Sequence, residues 1–358
     1  MNEQESKLEI IRTWMSTRKL GALYLQTAGS FAWATCGASS YINTASTNGL
    51  AALLITHEHQ YVLTTNIEAP RLEIEEHLGP QGWEFLANPW YEAPPTLDQV
   101  SHGLTLASDG AYPGAVNLST DLARLRANLT PEEGMRFIEL GKSCAQAMLA
   151  ACQAVRHGQT EYQIAAILAA EAESQGVQAV VNLIATDERI FSYRHPLPTG
   201  KKLEKYAMLI LCGRKHGLIC SLTRLVHFGP LPDDLMRKMA ACARVDATFI
   251  NSTRPNVTLG SIFDKAIAAY AESGYPNEWQ LHHQGGTSGY EPREYLAVPG
   301  STDCVAVGQA YAWNPSITGY KSEDTILIGE KKNEVLTEIA GWPMITVDGF
   351  DRPAILVM

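Results

Sequence analysis

The chain has no run of more than two consecutive Lys or Arg residues, and its 38 acidic residues outnumber its 28 basic ones. A formal net charge of −10 is the opposite of the basic surface that tracks a phosphate backbone, so nucleic acid is not an expected partner. Long apolar runs are also missing. A spanning helix needs about 20 mostly apolar residues, and no stretch approaches that length. The opening MNEQESKLEIIRTW is polar and charged and lacks the apolar core of a signal peptide. The seven cysteines are odd in number and include no C-x-x-C pair, which argues against a disulfide framework and against a structural zinc site. No tandem repeat or low-complexity segment occurs. The expectation is a soluble, cytoplasmic protein with no membrane attachment.

The composition that is present is that of a globular protein, 46% hydrophobic and 18% charged, which excludes disordered and fibrous classes. A chain of 358 residues exceeds the usual single domain, so two domains are expected. Leu8, Ile11 and Met15 recur at helical spacing in residues 3–18. GALYLQ and the two halves of GLAALLITHEHQYVLTT read as strands, the latter pair turning at His57–Gln60, and LTLASDG reads as another. APRLEIEEHLG reads as a helix closed by Gly79. Residues 1–125 therefore read as a small α/β domain. Residues 126–358 differ, with long helical stretches in two pairs and apolar strand-like runs between and after them. The first long helix starts at Thr130-Pro131 with acids in its first turn. Bunched helices and many strands give an α+β second domain with a curved antiparallel sheet.

Four stretches carry the chemistry: RHPLPTGK, LILCGRKHGLICSLTRLV, LHHQGGTSGYEPREY, and the pair WNPSI and KSEDTIL. In this order they resemble the "pita-bread" family of aminopeptidase P, prolidase, methionine aminopeptidase and creatinase. The resemblance covers roughly residues 130–330, and the two-domain layout resembles the prolidase and creatinase branch. It implies an N-terminal creatinase-type domain, a pita-bread domain and a homodimer whose N-terminal domain lies near the partner's cleft. It also implies five metal-ligand positions. Cys212 stands at the first implied aspartate, with Ile210 as an alternative because the hairpin is shorter than the family's, and Ser221 stands at the second. Gly286 takes the place of the ligand histidine and Asn314 that of the first glutamate, while Glu323 alone matches. Two divalent ions need several anionic oxygens, so no metal and no cofactor is expected.

Creatinase, in this family, works without a metal and uses a histidine as acid/base at the position matched by His195. The resemblance thus implies a metal-independent hydrolase or lyase acting on a C–N bond of a small amino-acid-like, amidino or peptide-like compound. His195 would be the acid/base, His282 a second proton-transfer or binding group, and Glu323 would orient a polar or cationic group. Arg293, whose planar fork suits a carboxylate, would bind substrate together with Glu294, Asn314 and Thr223. Thr223 and Asn314 replace glutamates that creatinase sets around its substrate cation, which favours another small ligand over creatine. Plainer readings stand beside these. His195 could be a satisfied loop histidine, Arg293 and Glu294 a surface ion pair, Asn314 a turn-former before Pro315, and Cys212 inert core. His282 and His283 are consecutive on an expected strand and should point to opposite faces, so His283 is read as structural. The alternatives to the hydrolase are a non-catalytic ligand-binding pseudoenzyme and a metallopeptidase with displaced ligands.

Overall fold

Leu8, Ile11 and Met15 are buried on one face of the helix Glu3–Thr17. Asn2 caps that helix by accepting the Glu5 N–H at 2.8 Å, one of the donors a helix start leaves unmet. The computed structural model of the chain describes residues 2–93, 97–101 and 103–358. These fall into two compact units, residues 1–126 with 216–218, and residues 127–215 with 219–358.

The first unit is built on a six-stranded sheet of β1 (Ala22–Thr27), β2 (Asn48–Thr56), β3 (Gln60–Thr65), β4 (Glu84–Asn88), β5 (Leu106–Ser108) and β6 (Val116–Asn117), in the order β4-β3-β2-β1-β5-β6. β2 pairs antiparallel with β1 and β3, and the outer pairings are parallel. The expected helix in APRLEIEEHLG is reduced to one π-turn at Arg71–Glu75. Leu72 is its one buried residue and Ile74 is exposed, so the segment has no apolar stripe to extend a helix along.

The helices of the second unit begin as the sequence predicts. Thr130 and Thr160 each form a capping box, with Glu133 and Gln163, at the starts of Pro131–Ala154 and Glu161–Glu173. The other pair is Asp233–Ser252 and Leu259–Glu272. Strands β7 (Gln178–Thr186), β8 (Tyr206–Lys215) and β9 (Leu218–His227) form one sheet, joined by Leu356–Val357. Further strands are β10 (Gly285–Ser288), β11 (Tyr295–Leu296), β12 (Ala310–Trp313), β13 (Ser316–Ile317), β14 (Tyr320–Lys321), β15 (Asp324–Ile328) and β16 (Asn333–Val335), and Met344–Val347 pairs with Phe350–Pro353 in a separate hairpin. An antiparallel sheet runs β11-β10-β12-β15-β16. An antiparallel bridge joins Thr223 after the middle of β9 to Glu323 just before β15, and it ties the two sheets together. The core beneath includes Phe249 stacked on Trp313 at 4.5 Å. Among the described residues, no helix is long and apolar enough to cross a membrane.

Candidate functional site

Glu323 is the centre of the polar cluster. It is 3% exposed and accepts from Lys321 Nζ at 2.7 Å, Thr223 Oγ1 at 2.7 Å and Arg293 Nη2 at 3.0 Å. Burial by itself raises a carboxyl pKa; the Lys321 and Arg293 cations outweigh it and hold Glu323 down at about 2. Extended backbone explains the local geometry, because residues two apart share a face and the Y-K-S-E run thus aims Lys321 and Glu323 together. A second ion layer holds this backbone. Arg224 donates to the Thr223 carbonyl at 2.8 Å, to the Glu323 carbonyl at 3.2 Å and to Asp324 at 2.8 Å. Arg352 bridges Asp324 and Asp246 behind it.

Ser221 donates to Cys212 Sγ at 3.2 Å, which puts Cys212, rather than Ile210, opposite Ser221 across β8 and β9. Burial and then the Glu323 carboxylate push the Cys212 thiol up to about 11. It is therefore protonated at neutral pH and a poor nucleophile. Arg293 pairs with Glu323 instead of forming a surface pair with Glu294. Glu294 turns its carboxylate to the Tyr290 N–H at 2.9 Å and so holds the turn after β10. Asn314 is buried, its N–H donates to the Gln284 carbonyl at 3.1 Å, and its Oδ1 has no hydrogen-bond partner.

A second cluster is made of imidazoles. His195 stands in a loop pinned on both sides. Arg194 donates to Glu278 at 2.6 Å, and Thr199 Oγ1 donates to Glu161 at 2.7 Å. The Nε2 atoms of His195 and His282 are 3.0 Å apart, so one ring donates and the other accepts. The chain at His282 and His283 lies between the short helix Glu278–Leu281 and β10, not on a strand. The expected alternation of faces therefore fails, and the two rings stack with centroids 4.3 Å apart. Gln284 fixes this turn by donating to the His282 carbonyl at 2.6 Å while accepting from Tyr270 OH at 2.7 Å. Burial, followed by Lys321, pushes His282 down to about 2, and burial, followed by Arg293, pushes His283 down to about 4. Burial and Lys321 also lower His195. All three rings are thus neutral at neutral pH.

The structure brings His195 and His282 together, and Thr223, Arg293 and Glu323 together. Sequence reasoning missed Lys321 and assigned His283 to structure. The first was legible in the two-residue spacing to Glu323; the second required knowing that the strand starts only at Gly285.

The sequence profile of metallopeptidase family M24 matches residues 136–330. An uncharacterized peptidase from Staphylococcus epidermidis is 26% identical over 152 residues, which cover 40% of this chain and 43% of that protein. This chain thus spans less than half the length of that relative. The fold is similar to the Xaa-Pro dipeptidase from Bacillus anthracis, with a TM-score of 0.81 at 17% identity over 99% of this chain and 100% of that one. It is similar also to the prolidase from Thermococcus sibiricus, with a TM-score of 0.83 at 14% identity over the whole of both chains. The mixed sheets and helices of the described residues match those pita-bread structures. With more than half of its residues matched by the family profile, the chain belongs to metallopeptidase family M24.

Proposed function

We propose that this chain is a hydrolase that cleaves a C–N bond of a small amino-acid-like, amidino or peptide-like compound without a dinuclear metal centre, with His195 as its acid/base. The observation that carries the reading is the engagement of Glu323 by Lys321, Arg293 and Thr223 at once. Two divalent ions need several anionic oxygens to offset their dehydration. Here two side-chain cations already neutralise the single carboxylate. Gly286 supports the same reading. A Cβ added there would lie 2.2 Å from the Tyr295 carbonyl oxygen, so the backbone leaves no room for a ligand side chain. Ser221, Asn314 and a protonated Cys212 supply no anionic oxygen. The residues do not fit a dinuclear centre.

His195, kept neutral by burial and Lys321, can accept a proton from an attacking water. The imidazolium so formed is favoured by the Glu323 charge and can return the proton to the leaving nitrogen. His282, 3.0 Å away, fixes the ring and its tautomer. Arg293 Nε is buried without a hydrogen-bond partner. Such an unmet donor costs about 1–3 kcal/mol, which a substrate carboxylate would recover. Asn314 Oδ1 is an unmet buried acceptor and suits an amide or amidino N–H. A ligand with both an anionic acceptor and an N–H donor is amino-acid-like.

A non-catalytic binder is the second reading, and one observation favours it. With pKa values of about 2 and about 4, His282 and His283 are neutral and have no imidazolium proton to deliver at neutral pH, which leaves His195 alone for acid/base chemistry. The test is amine release by chelator-treated protein from acyl amino acids, guanidino acids and dipeptides. We expect turnover that chelation does not abolish and that His195→Ala lowers by about 10²–10⁴-fold. Turnover restored only by manganese or cobalt overturns the metal-free reading. Ligand binding with no turnover selects the binder.

A further inference from the structure

We propose that His195, His282 and His283 form a binding site for one borderline divalent transition cation of the zinc class, separate from the metal positions that the family resemblance implies. One ring nitrogen from each of these three residues lies within 4.8 Å of the other two. Tetrahedral zinc with bonds of 2.0–2.1 Å needs nitrogens about 3.3 Å apart. The His195–His282 pair, at 3.0 Å, is near that edge, and the remaining closure falls on imidazoles that are partly exposed.

A further observation points to a ligand here. His283 Nδ1 is buried without a hydrogen-bond partner, which a native site seldom leaves unexplained. Three neutral nitrogens without a carboxylate suit a zinc-class ion and not magnesium or calcium. Lys321 and Arg293 outnumber Glu323 beside the rings, and their net positive charge selects an anion, such as hydroxide or a carboxylate, for the fourth position. Bound there, the ion takes the His195 lone pair. On the proposed role of His195, and only for this consequence, zinc inhibits turnover.

The test is calorimetric titration of chelator-stripped full-length protein with zinc, with magnesium as control. We expect one zinc per chain, no magnesium heat, and affinity weakened at least about 100-fold in His283→Gln, because losses beyond the ligand shell alone cost 10–100-fold. Cobalt should give the visible spectrum of a tetrahedral nitrogen-ligated ion, absent in His283→Gln. Circular dichroism of the stripped variant separates lost binding from lost fold, and His195→Gln, in the exposed loop, supplies a second variant. No saturable zinc binding, or unchanged affinity in a folded variant, overturns the proposal. Because binding is read directly, this outcome is independent of whether chelated protein turns over substrate.

Discussion

Glu323 and the three histidines lie in one unit of the molecule and are treated by the fold in opposite ways. Glu323 is nearly fully buried and has three side-chain partners, with Arg224 donating to its backbone carbonyl. The histidines are partly exposed and short of partners, with two of their ring nitrogens buried and unmet. The difference separates framework from function. A group whose valences are filled by protein holds the site together, whereas a group left with open valences is available to a ligand.

That contrast can be broken most severely at Glu323. Glu323→Gln leaves Lys321 and Arg293 buried without their anion, and loss of one partner of a buried pair costs about 3–5 kcal/mol. Urea denaturation should show a loss of that size, whereas His195→Ala should stay within about 0.5 kcal/mol of the parent because its ring is only partly buried. Equal losses would erase the distinction. Gly286→Ala comes next. Its Cβ would meet the Tyr295 carbonyl, and overpacking of this kind costs about 1–3 kcal/mol, read as a lowered midpoint with unchanged slope.

Acid sharpens the same comparison. Glu323 has a folded pKa depressed from 4.5 to about 2, so its contribution is present above 4.5 and is lost as pH falls from there toward 2. The linked stability is about 3 kcal/mol. The histidines are depressed from 6.5 to about 2 and about 4. The unfolded chain gains their protons first, so stability falls as soon as pH drops below 6.5. Two stages of acid loss are expected, and His283→Gln should shrink the upper stage while sparing the lower. A single stage starting near 4.5 would contradict the burial of the rings. The smallest effect is chemical. Native Cys212, with its thiol pushed up to about 11, should label with iodoacetamide far more slowly than exposed Cys304.

Much of the fold was legible where one segment carries its own signal. The cap at Thr130 and the helical spacing of Leu8, Ile11 and Met15 are local, and the structure places each as expected. APRLEIEEHLG misled because its residues favour helix, while its buried Leu72 and Leu78 lie six positions apart and leave no stripe at helical spacing to pack. The site was legible as a set of motifs. Its wiring was not, because partners come from distant segments. The bond between Thr223 and Glu323 spans 100 positions, and the contact of His195 with His282 spans 87. The stacking of His282 on His283 depends on where β10 begins, a boundary that no composition rule sets within a residue or two.

Lys321 and Arg293 both donate to Glu323, and in the proposed metal-free reading they neutralise it in place of metal ions. Titration of chelator-stripped wild-type protein with manganese, a hard ion that seeks carboxylate oxygen and is poorly served by imidazole alone, tests this most directly. We expect no saturable manganese binding. Two manganese ions bound per chain would contradict it.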